Sequence, residues 1–220
     1  MTPTPEATNA QAVPNRVSIL ARLAPSLSYA LPALGAALSA LLFINVMQAM
    51  RNAESAGIAA VAGGMSEANL AVVLTLYLAI FVGFIGIIVG LVRAFTTTTT
   101  ASPAGWFFLI VGLFGLAPML TLWQAESLLV GVLTSRSGPG IVAVASQISM
   151  FLMLTIVLAA VACLVLLVAS VVPLPALMRA NGKWTPLIFL VVMELAVIGM
   201  TILYHLRTYW FYQAKMNEGF

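Results

Sequence analysis

The chain contains no aspartate, one histidine and one cysteine in 220 residues, and only 7% of it is charged. Each shortage excludes something. Soluble domains carry roughly 25% charged residues, so this chain cannot build an ordinary water-facing surface. Metal centres draw on several His, Cys or carboxylate ligands. Here the inventory is His205, Cys163 and six glutamates, Glu6, Glu54, Glu67, Glu126, Glu194 and Glu218, mostly far apart. No metal site and no haem or other cofactor site held by this chain alone is expected. One thiol excludes an intrachain disulfide, and Cys163, inside an apolar run, reads as a small buried hydrophobe. The nine Lys and Arg are dispersed, with a net charge of +3. Without a basic block there is no nucleic-acid footprint. GxSxG, HExxH and phosphate-cradling glycine loops are also missing. No catalytic constellation is visible, so the chain reads as a non-enzyme.

What is abundant is apolar surface, 62% of the residues. A soluble core cannot absorb that much, but a bilayer can. About 20 apolar residues cover a hydrocarbon layer of roughly 30 Å. Runs of that length predict an all-α polytopic integral membrane protein, a bundle of about five transmembrane helices with short loops. The spans are placed at about 27–50, 70–92, 106–126, 144–172 and 185–208. Residues 1–15 read as a flexible tail, 16–212 as one helical membrane domain and 213–220 as a short polar tail. Val17–Leu23 reads as a short amphipathic segment lying on the membrane.

Between the spans, Gly63-Gly64 predicts a break, with Ser66 as N-cap of the second helix. Thr96–Thr100 and Ser102-Pro103 form a low-complexity loop, and Thr134–Gly140 a turn. Pro173 and Pro175 stop the fourth helix, and Arg179, Asn181, Gly182 and Lys183 form a basic hairpin loop. No strands are expected. Five spans put the termini on opposite sides. Basic residues divide nearly evenly between the two sides, and Arg16 and Arg22 before the first span place the N-terminus in the cytoplasm. The expected location is a bacterial inner membrane.

Two residue sets stand out. Small residues let helices approach closely, and Gly83, Gly86, Gly90, Gly112 and Gly115 are candidates for such packing. The second set is polar. A carboxylate at mid-bilayer costs about 2.5–3.5 kcal/mol on insertion scales, so Glu194 is expected to face protein or water. At 100° per residue, Thr201 and His205 lie within about 20° of Glu194 and Thr208 within about 40°. These residues predict one polar stripe, either an ion path or an interhelical polar contact with a neutral Glu194. Arg207 falls on the far side, where it is expected to snorkel to the headgroups. Glu126 is intramembrane if the third helix tilts and interfacial if the span ends at Trp123; the interfacial placement is preferred.

Three function classes follow. In the first, the chain is a non-catalytic subunit that packs and couples within a larger membrane complex, with lipids and other membrane subunits or further copies of itself as partners. In the second, it is an oligomeric proton or cation conductor using Glu194. A third class, a quinone- or lipid-binding subunit of a membrane enzyme, would need residues from a partner.

Overall fold

The computed structural model describes residues 16–52, 58–96, 101–103, 105–134, 141–171, 179–181 and 184–217. Five helices run as α1 (Arg16–Asn52), α2 (Ile58–Thr96), α3 (Gly105–Thr134), α4 (Ile141–Val171) and α5 (Thr185–Asn217). All five are long and apolar enough to cross a membrane, over Leu27–Ala49, Ala60–Thr96, Gly112–Thr134, Val144–Val168 and Leu187–Ala214. At 1.5 Å per residue α2 is about 58 Å long, well beyond one hydrocarbon layer. It therefore tilts or extends past that layer.

The distribution of side chains is that of a protein solvated by lipid. Leu74, Phe81, Leu164, Leu167 and Leu195 point outward and are each at least 60% exposed, while Ser28, Ser39, Asn69, Glu126, Thr155, Glu194 and Thr201 are buried. Water would punish that arrangement on both counts. Around the bundle the order is α5, α2, α1, α4, α3 and back to α5, with α1 also reaching across to α3. Small residues set the spacing. Ala33, Ala36 and Ala40 of α1 are fully buried, Gly35 sits against Thr75 of α2, and Gly64 of α2 sits against Val46. Pro32 is inside α1 and has no N–H to offer the Ser28 carbonyl. The Ser28 hydroxyl spans the same level, donating to the Ala79 carbonyl of α2 at 3.0 Å.

Several sequence expectations are corrected here. Gly63-Gly64 does not break the chain: α2 begins at Ile58 and runs through both glycines, and Ser66 lies inside it. Two glycines cost about 1 kcal/mol each in a helix. In lipid, however, an opened helix would strand backbone donors and acceptors, and Gly64 is needed where α1 passes at Val46. The segment at 17–23 belongs to α1, α3 passes Glu126 without interruption to Thr134, and α5 continues through 213–217. Ala101–Pro103 (β1) pairs antiparallel with Arg179–Asn181 (β2), in the register Ala101↔Asn181, Ser102↔Ala180 and Pro103↔Arg179. This short pair ties the α2–α3 connection to the α4–α5 connection, which a five-span topology puts at one end of the bundle. The tail at 1–15, most of the threonine run (97–100), the turn at 135–140, the prolines at 173 and 175, Gly182, Lys183 and the last three residues lie outside the described residues.

Candidate functional site: two buried carboxyl groups

Glu194 lies in the first third of α5 and is 2% exposed. It has room because the facing residue on α2 is glycine. A Cβ at Gly83 would overlap the Glu194 carboxyl carbon and both of its oxygens. Tyr29 of α1, fully buried, lies within electrostatic range of that carboxyl. Among the described residues neither Glu194 oxygen has a hydrogen-bond partner, and neither does the Tyr29 hydroxyl.

Glu126 corrects the expectation of a span ending at Trp123. It is 0% exposed and lies within the apolar span Gly112–Thr134 of α3. Asn69 of α2 lies beside it, and Arg207 and Tyr204 of α5 lie within electrostatic range. The Asn69 amide is close enough to act on the Glu126 carboxyl as a hydrogen-bonding neighbour, but among the described residues no well-formed hydrogen bond reaches either Glu126 oxygen or either polar atom of Asn69. The Tyr204 hydroxyl is already committed, donating to the Met119 carbonyl at 2.7 Å.

Arg207 is the second correction. It does not snorkel from the far side of α5. Its Nη2 donates to the Ser127 hydroxyl at 3.0 Å, and its guanidinium carbon stands 3.9 Å from the centroid of the Trp123 ring. That ring meets Tyr204 edge-on, with centroids 5.5 Å apart. An arginine over an indole face gains a cation–π attraction that grows as water is removed.

The two carboxyl groups stand at different depths. Arg207 marks the level of Glu126 and lies 13 residues past Glu194 on the same helix, or roughly 20 Å along the axis. On α2, Asn69 and Gly83 give a similar separation of about 21 Å. Between these levels lie the paired hydroxyls of Thr121 and Thr155, 2.8 Å apart, and Pro118 inside α3.

The expected polar stripe divides. Thr201 is buried, but its hydroxyl donates to the Val197 carbonyl of its own helix at 2.8 Å. Thr208 does likewise to Tyr204. His205 is exposed, on a shallow outer groove with Tyr77, Ile80, Ile198, Thr201, Ile202 and Leu206. The reason lies in where the buried face is centred. The inward residues of α5 are Leu190, Met193, Val197, Thr201, Tyr204 and Phe211. Their mean direction lies about 67° from Glu194 and about 87° from His205. Both residues are therefore at the rim of the buried face. Gly83 lets Glu194 in, whereas Tyr77 and Ile80 leave His205 outside.

The glycines are used within this chain. Gly83 faces Glu194, Gly112 faces the end of Met193, and Gly115 faces the Tyr29 backbone; a Cβ at Gly90 would stand 3.3 Å from Leu187 Cδ1. Gly86 is buried. Sequence reasoning missed Asn69, Tyr29, Trp123 and Tyr204 as neighbours of the acids. The i, i+4 pair of Trp123 and Ser127 around Glu126 was the available signal. Among the described residues no group of three His, Cys, Asp or Glu could hold a metal ion. Compared with known protein families, curated proteins and solved structures, the chain shows no match.

Proposed function

We propose that this chain moves protons across a membrane, using Glu194 and Glu126 as two successive proton-binding groups inside its own bundle. One observation carries the reading: two buried carboxyl groups, at two depths, with no well-formed hydrogen bond from any described residue to any of their four oxygens. An ionised carboxylate without partners costs several kcal/mol in a low-dielectric interior. The acid form removes the charge, so each site favours holding a proton while closed. A site that gains a proton when closed and loses it when wetted is the minimal element of proton transfer. A metal cation is a poorer occupant. It requires several oxygen ligands, and helix carbonyls are committed to the backbone.

Direct transfer over roughly 20 Å is too far for one hydrogen bond. Water must enter between the two levels, and α3 has the means to admit it: Gly115 and Pro118 lie between the level of Glu194 and Glu126, where a helix bends most readily. The chain needs no enzymatic chemistry for this. We place it in a bacterial inner membrane with its N-terminus cytoplasmic, on the weight of Arg16 and Arg22 before the first span.

The subunit reading is kept as the second class. The glycines and Glu194 that motivated it pack inside this chain, so a partner would have to use other faces.

The test is proton uptake by vesicles holding the purified full chain, with a pH-sensitive dye inside and a potassium diffusion potential as the driving force. Uptake faster than in protein-free vesicles is expected; equal rates reject the proposal. His205→Ala is expected to match the wild-type rate, because His205 faces outward and bonds to neither carboxyl. A clear loss of flux in that variant would restore His205 to the path.

A further inference from the structure

Arg207 presents an unusual arrangement for a permanent cation in a membrane bundle. Arginine does not lose its proton, and the Glu126 carboxyl is within its electrostatic range, yet neither Glu126 oxygen accepts a hydrogen bond from it. The guanidinium instead rests on the Trp123 ring and the Ser127 hydroxyl. Trp123 stands three residues before Glu126 and Ser127 one residue after it, so the resting place and the carboxyl share one turn of α3. The other groups facing Glu126 offer no competing charge. From α2 comes the neutral amide of Asn69, and from α5 the Tyr204 hydroxyl, whose proton is given to Met119. Among the described residues, Arg207 is the one cation in electrostatic range of Glu126.

We infer that Arg207 is a charge switch for Glu126: it stays on Trp123 and Ser127 while Glu126 carries a proton, and moves onto the carboxylate when that proton leaves. This inference rests on the proton-binding reading of Glu126. A neutral acid offers a guanidinium little, whereas a carboxylate offers two parallel charge-assisted hydrogen bonds. In a dry interior that attraction exceeds the cation–π contact with Trp123. The switch keeps the cluster from ever holding an uncompensated carboxylate. Arg207 and Glu194 share α5, so the move also gives one helix a stake in both sites.

The movement is readable without any transport assay. Trp123 emission is isolated as the difference between the full chain and its Trp123→Phe variant, both in lipid nanodiscs, titrated from acid to alkaline pH. A single transition is expected as Arg207 leaves the ring. Glu126→Gln should hold the signal at its acid-side level throughout, and Arg207→Gln should abolish the transition. Ser127→Ala removes one resting contact without touching either charge, and should move the midpoint to lower pH. That variant also serves if Glu126→Gln does not fold. A Trp123 signal independent of pH, a transition that survives Glu126→Gln, or an unmoved midpoint in Ser127→Ala overturns the inference. Vesicles that take up protons normally while Trp123 stays silent would sink the switch and leave the transport proposal standing. A working switch with no proton uptake would do the reverse.

Discussion

Glu194→Gln is expected to lower proton uptake about 100-fold, or to the leak of protein-free vesicles, the scale on which removing a proton-transferring group slows such steps. The substitution suits the question because it changes little else. Glutamine has nearly the volume of glutamic acid, so it still fits against Gly83, where even one extra carbon on the facing residue would collide with the carboxyl. It can donate and accept hydrogen bonds, but it cannot bind and release a proton near neutral pH. The fold is therefore expected to survive, with the same elution and the same helix signal in circular dichroism. Glu126→Gln should act in the same direction, since the two groups lie in series. Wild-type flux in a folded Glu194→Gln protein would make Glu194 a structural acid and return the weight to the subunit reading.

The second large effect is on stability. Gly115→Val is expected to destabilise the bundle by about 3 kcal/mol, the upper end for forcing extra carbons into a packed interior. A Cβ at position 115 would stand 2.6 Å from the Tyr29 carbonyl oxygen and 3.2 Å from its carbonyl carbon. Those are backbone atoms of α1, so no rotamer change relieves the clash. The helices α1 and α3 must separate, and Tyr29 moves away from Glu194 as they do. The contrast with Gly131 makes the prediction specific. No described residue lies within 4 Å of a Cβ there, so Gly131→Ala should be neutral or stabilising by up to about 1 kcal/mol from helix propensity. Detergent-unfolding midpoints of the two variants against wild type decide the matter. Equal midpoints for Gly115→Val and wild type would mean that α1 and α3 do not pack as closely as described.

The expectations that failed share a physical origin. Glycine pairs, a serine followed by glutamate and a polar run after Trp123 all end helices in water, where the freed backbone finds new partners. Inside lipid it finds none, so α2 keeps its glycines and α3 continues past Glu126. Periodicity correctly grouped Glu194 with Thr201, but a stripe is an angle on one helix. It does not say where the buried face is centred. His205 lies only about 20° beyond Glu194, and the residues across from it put it outside.

The sequence by itself determined the solvent and the secondary structure: a lipid-solvated bundle of five long helices, with one glutamate, Glu194, inside an apolar stretch. These follow from transfer free energies that add along the chain and need no knowledge of neighbours. Only the tertiary structure decided that both acids are buried, that Gly83 makes the space for Glu194, and that Arg207 rests on Trp123 beside an unpaired Glu126. A side chain's surroundings are set by whatever stands opposite on another helix, and no single stretch of sequence carries that information.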